Sequence, residues 1–137
     1  MVSYGEKIRV GEHFICHRIM KEVLKKHGAH PKWINGDPAP HLHTYWLVDN
    51  TVTDGEEKTI ASDRLLESKY PMWAMPVLIF VDRQQDGVEN MKKAGFKRIV
   101  VVYELLDLVY AFGELGLWPE DMVKAVEEEI KTHQFLK

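Results

Sequence analysis

The residues best suited to chemistry lie in "WLVDNTVTDGEEKT" (46–59). An apolar run (Trp46, Leu47, Val48) delivers Asp49 and Asn50, then a turn through Thr53, Asp54 and Gly55, then the start of a helix at Glu56. A strand feeding a glycine turn at a helix N-terminus presents backbone N–H groups to a phosphate. Acids beside it can accept hydrogen bonds from sugar hydroxyls. Against that chemistry stand Asp54, Glu56 and Glu57, negative side chains where a phosphate would sit. One carboxylate about 5 Å from a phosphate charge costs on the order of 3 kcal/mol at an effective dielectric near 20, roughly a hundredfold in affinity. The three acids also suit the first turn of a helix for their own sake.

Other candidates are more scattered. Arg83 follows Asp82 at the end of an apolar run and is placed either to meet an anion or to pair with Asp82 or Asp86. Lys21, Lys25 and His27 form a basic cluster before Gly28, read either as reactive groups or as a solvated helix end. His13 and His17 stand four apart with Cys16 between them, and His41 and His43 alternate in an extended stretch. Neither pattern supplies a third metal ligand, so no metal site is assigned from spacing. Trp33, Trp46, Trp73 and Trp118 read as core or interface residues.

The elements that must position these groups alternate. Strands are expected over 43–49, 75–82 and 97–104, and helices over 56–70, 87–95, 104–115 and 118–133. The second and third strands are continuous apolar runs, as in a sheet covered on both faces. Gly95 is placed as a helix stop, Pro119 as a helix start. In the last helix Met122, Val126 and Ile130 recur along one face. Strand–helix alternation with short connections implies a mainly parallel sheet with flanking helices, an α/β domain that binds ligands at the carboxyl ends of its strands. Those ends are expected at Asp49-Asn50, Asp82-Arg83 and Tyr103-Glu104. Before this core, residues 11–27 read as a helix through Ile15, Ile19 and Val23, and 29–41 as a turn-rich loop. The expected organisation is one domain over 1–137: a segment 1–28, a loop 29–41 and a core 42–137.

The 137 residues suit one core, with 45% hydrophobic and 28% charged residues and a formal net charge of -3. That charge argues against a general nucleic-acid binder. Cys16 is the single cysteine, no signal-like segment opens the chain, and no apolar run has the length of a membrane span. A cytoplasmic protein is expected.

With these residues in place, the chain resembles the C-terminal part of the orotate phosphoribosyltransferases, type I phosphoribosyltransferases. "KEVLKKHG" (21–28) resembles the family's basic catalytic loop, and "LVDNTVTDGEE" (47–57) its ribose-phosphate signature. "IFVDRQQDGVENMKKAG" (79–95) resembles its Asp-Arg-Gln turn and following helix, and "VYELLDLVYAFGE" (102–114) its closing strand and helix. The resemblance implies a truncated phosphoribosyltransferase-like fold without the N-terminal hood. It implies that Lys21, Lys25 and His27 line a loop contacting pyrophosphate at the neighbouring subunit's site, and that Asp49 holds the ribose hydroxyls of phosphoribosyl pyrophosphate (PRPP). Asn50 stands where the family has its second acid. Thr53, Asp54, Gly55 and Glu56 would wrap the 5′-phosphate, Arg83 would meet the orotate carboxylate, and Mg2+ would accompany the pyrophosphate. A homodimer is expected, a second copy or the N-terminal segment completing the short sheet. Two functions follow as expectations: an orotate phosphoribosyltransferase-like protein of pyrimidine nucleotide metabolism with impaired activity, or a non-catalytic nucleotide-binding or protein-interaction module on the same fold.

Overall fold

A computed structural model of the chain describes residues 17–19 and 34–135. The chain divides into two compact units, Met1–Ala39 and Pro40–Lys137, a boundary that falls inside the stretch 29–41 read as a turn-rich loop.

In the first unit, β1 (Arg18–Ile19) pairs antiparallel with β2 (Ile34–Asn35), Ile19 opposite Ile34. This corrects two expectations. The described part of the segment read as a helix over 11–27 is a strand, and the segment read as a loop over 29–41 contains its partner. β-branched residues at helical spacing fit a strand as well as a helix. What decides is a partner strand further along the chain, which periodicity cannot reveal.

The second unit is built on β3 (Leu47–Val52), β4 (Val77–Asp82) and β5 (Ile99–Glu104), paired in that order and all parallel. Leu47, Val77 and Ile99 share one row and Val52, Asp82 and Glu104 the last. Helix α1 (Glu56–Glu67) joins β3 to β4, and α2 (Gly87–Lys93) joins β4 to β5. Right-handed crossovers running in one direction put both helices on the same face. Leu47, Val77 and Ile79 are buried on that face. Helices α3 (Leu105–Glu114) and α4 (Glu120–Thr132) follow and pack on each other. Among the described residues no helix is long and apolar enough to cross a membrane.

The expected strand 43–49 lies three to four residues too early. The ladder begins where Leu47 N–H reaches Pro76 O at 2.9 Å, because the partner strand itself starts only after Pro76. Tyr45 instead packs its ring on Tyr70, 5.3 Å between centroids. Asp49 and Asn50 therefore lie inside β3 and not at its tip, while the ends at Asp82 and Glu104 stand as expected.

Helix ends follow local chemistry. α1 stops short of 70: Lys69 takes a left-handed conformation (φ 66°) and Tyr70 N–H bonds Leu65 O at 2.9 Å. Gly95 (φ 100°) ends α2 in the same way, with Phe96 N–H on Met91 O at 3.1 Å. In α4, Ile130 is buried and Val123 and Val126 are partly covered, whereas Met122 is exposed. The packed line is Val123, Val126 and Ile130, one residue round from the expected start.

Candidate functional site

β3 ends at Val52, fully buried, and the chain turns through residues 53–55 into α1. Gly55 precedes the helix with φ 78°, a conformation that favours glycine. A Cβ here would also lie 2.7 Å from Gly87 O, while one on Gly87 would lie 2.6 Å from Val52 Cγ2. Two glycines thus let the turns from neighbouring strands touch. The Glu56 N–H, the first free donor of α1, is not open: Asp54 Oδ1 accepts from it at 3.0 Å. A carboxylate of the chain itself occupies the place a phosphate oxygen would take. Glu56 and Glu57 fall in the first turn of α1, a favourable position for negative charge.

Below the turn lies a buried ion pair. Lys58 sits on the inward side of α1 with Ala61 and Leu65, and its side chain is 8% exposed. Its Nζ lies 2.6 Å from Asp49 Oδ2 and donates to Thr51 O, also at 2.6 Å. Asp49 Oδ1 accepts the Asn50 N–H at 2.9 Å. The Asp49 carboxylate is thus directed under α1, three residues below the strand tip. Removing one partner of such a pair leaves a charge in a dry site, typically a loss of about 3 to 5 kcal/mol. Asn50 is exposed, with its side-chain oxygen on the Thr51 N–H at 3.0 Å.

The second turn, 83–86, follows β4. Arg83 N–H donates to Val52 O at 3.0 Å, which fixes this turn against the first strand's end. Its side chain is half-buried, and among the described residues no carboxylate forms an ion pair with it. Asp82 Oδ1 accepts the Gln84 N–H at 2.9 Å. Burial raises the Asp82 pKa above the ordinary carboxylate value, helped by the nearby Asp86 and opposed by the Gln84 N–H and Lys92. Gln84 links outward: its Nε2 donates to Glu104 Oε2 at 3.0 Å and its Oε1 accepts the Leu106 N–H at 2.9 Å, capping α3. Gln85 is 2% exposed, and its Oε1 has no hydrogen-bond partner among the described residues.

The chain's last described residues return to this edge. Phe135 N–H donates to Asp86 Oδ2 at 3.1 Å, and Gln134 Nε2 to Gln84 O at 3.2 Å. Asn90, in α2, joins tail and first turn: its Nδ2 donates to Asp54 O at 3.0 Å and Phe135 O at 2.7 Å.

Of the residues singled out in the sequence, Thr53, Asp54, Gly55, Glu56 and Arg83 meet at the carboxyl edge of the sheet. Asp49 is drawn away to Lys58, and Asn50 projects elsewhere along the strand. Lys21, Lys25 and His27 lie outside the described residues, as do His13 and Cys16. Among the described residues no group of three or more His, Cys, Asp or Glu could hold a metal ion. Sequence reasoning missed Lys58 and Asn90. The first had a signal: a lysine at helical spacing with Ala61 and Leu65, seven residues after a strand carbonyl it could reach. No family model matches the chain, and no curated protein matches it.

Proposed function

We propose that the chain is an orotate phosphoribosyltransferase-like protein that binds PRPP or a nucleotide at the carboxyl edge of its sheet and whose transferase activity is impaired. The observation that carries this is the glycine turn at the N-terminus of α1, closed by the Asp54 carboxylate on the Glu56 N–H at 3.0 Å. The turn has the form of a phosphate cradle, and a ligand phosphate would have to displace that carboxylate and then stand beside it. Thr53 and Gly55 would contribute the cradle, and Arg83, free of described ion pairs, would meet a ligand's anionic base. Mg2+ enters with the ligand's pyrophosphate as its counter-ion. Impaired turnover follows from Asp49 as well: engaged with Lys58, it is a poor acceptor for ribose hydroxyls. That same pair favours the second reading, a non-catalytic nucleotide-binding or interaction module on this fold.

Calorimetric titration with PRPP and Mg2+, and separately with orotidine monophosphate, tests the proposal. Micromolar binding of either supports it and justifies an orotate turnover assay, in which Lys25→Ala abolishes product. No heat at millimolar ligand retires it. Replacing Asp54, Glu56 and Glu57 with Thr, Gly and Ser is expected to tighten binding by roughly tenfold or more. Unchanged affinity in that variant would count against repulsion as the cause of impairment.

A further inference from the structure

The chain's last described residues dock on the edge that carries the candidate site, and Phe135 is gripped there at both backbone groups. Its N–H donates to Asp86 Oδ2 at 3.1 Å, and its carbonyl accepts from Asn90 Nδ2 at 2.7 Å. Asp86 and Asn90 are one helical turn apart, with Asn90 N–H on Asp86 O at 2.9 Å, so their side chains project together. Gln134 adds a third tie: its Nε2 bridges Ile130 O in α4 and Gln84 O, the latter at 3.2 Å. Phe135 itself remains 40% exposed. A tail held by a few hydrogen bonds, each of modest net worth, is among the first parts of a fold to open.

What the tail holds is not confined to its own turn. Asn90 is buried, and the same Nδ2 that serves Phe135 O also donates to Asp54 O at 3.0 Å. Asp54 in turn covers the Glu56 N–H with its carboxylate at 3.0 Å. One path of hydrogen bonds therefore runs from Phe135 through Asn90 and Asp54 to the first donor of α1. An amide whose two hydrogens both have acceptors is fixed in one orientation. With Phe135 gone, one hydrogen is left unpaired in a buried place, and the amide satisfies it by turning or by admitting water. Either change loosens its hold on Asp54.

We propose that Gln134 and Phe135 form a latch on the first turn. Docked, the tail fixes Asn90 and through it keeps the Asp54 carboxylate over the Glu56 N–H; undocked, it lets that closure open. A ligand phosphate at this turn has to displace the same carboxylate, so the latch is autoinhibitory, a consequence that rests on the ligand reading given above. The coupling between tail and turn does not rest on it.

Amide exchange of the full chain, followed residue by residue without ligand, tests the latch. Gln134→Ala combined with Phe135→Pro removes the tail's donors to Gln84 and Asp86. The Glu56 N–H should then exchange roughly fivefold faster, while Ile79 in the middle of β4 keeps its wild-type rate. Asp86→Gly, which takes away the acceptor of the Phe135 N–H and leaves Asn90 in place, should have the same effect. An unchanged Glu56 rate in both variants overturns the latch. An equal rise at Ile79 overturns it too, because the whole domain has then loosened. Calorimetry with PRPP and Mg2+ tests the consequence: the tail variant should bind roughly fivefold more tightly than the wild type. Equal affinity overturns the autoinhibitory role and leaves the ligand reading intact. No binding by either form retires the ligand reading together with that role, and the exchange rates alone decide the latch.

Discussion

The 53–55 and 83–86 turns leave neighbouring strands at one edge and approach each other closely at Gly55 and Gly87, yet they are held in different ways. The first needs a single left-handed residue, Gly55; its own Asp54 carboxylate accepts the Glu56 N–H, and one side chain from further along, Asn90, donates to the Asp54 carbonyl. The second contains two left-handed residues that are not glycine, Gln84 (φ 59°) and Asp86 (φ 67°). Each costs about 1 kcal/mol and persists only where surrounding contacts dictate it. Those contacts are long-range: Gln84 reaches Glu104 and Leu106, and Asp86 takes the Phe135 N–H. The second turn is therefore a structural junction among β4, α3 and the tail. The first is closed by its own charge, the Asp54 carboxylate on the Glu56 N–H.

The largest break in this contrast should come from beneath the first turn. Lys58→Met leaves the Asp49 carboxylate, 15% exposed, without its cation and frees the Thr51 carbonyl. A loss of about 3 kcal/mol is expected by urea denaturation. Adding Asp49→Asn should recover most of it, since an uncharged pair no longer needs the lysine. Equal instability in the double variant would mean that the lysine's packing, and not its charge, holds β3 to α1.

Gly55→Ala should cost about 2 kcal/mol, from the positive φ and from the Cβ 2.7 Å from Gly87 O. The comparison sharpens with Asp86→Gly, which relieves a left-handed side chain while losing the bond to Phe135. Its net change should stay within about 1 kcal/mol. If both variants cost the same, the two turns are not held differently.

Asn90→Ala removes the bonds to Asp54 O and Phe135 O and should cost about 1–2 kcal/mol. Its signature is more telling than its size. Amide exchange should quicken both at residues 53–56 and at the tail, because one side chain ties the two. Faster exchange at the tail alone would show that the first turn does not depend on it.

Legibility in the sequence followed the range of the interactions. The second and third strands of the parallel sheet, the Gly95 stop and the four helices of the described residues could be read from apolar runs and capping residues, because those signals are local. The start of β3 could not: Tyr45 and Trp46 look like strand residues, and only the position of Pro76 on the partner decides that pairing begins at Leu47. The β1–β2 pairing was hidden for the same reason. Within the candidate site, the turn and its acids were visible, but the direction of Asp49 was not. It depends on Lys58, a charge on the inward face of a helix, where burial patterns lead one to expect an apolar residue. Asn90 gave no signal, since its partners are backbone carbonyls far away in sequence.

The smallest expected effect concerns the second turn's stem. Burial raises the Asp82 pKa in the folded chain, so its contribution to stability is fully present below the ordinary value of 3.8 and is lost as pH rises through the folded value. At neutral pH the ionised carboxylate is a burden, partly offset by its bond to the Gln84 N–H. An asparagine side chain in its place would keep an oxygen for that N–H without titrating. Asp82→Asn should then be more stable than the wild type at pH 7, within about 1 kcal/mol, and the difference should vanish near pH 3. Urea midpoints at the two pH values measure it. A variant less stable at pH 7 would mean that the charge-assisted bond to Gln84 outweighs burial, and that the second turn, like the first, is held by a carboxylate of its own.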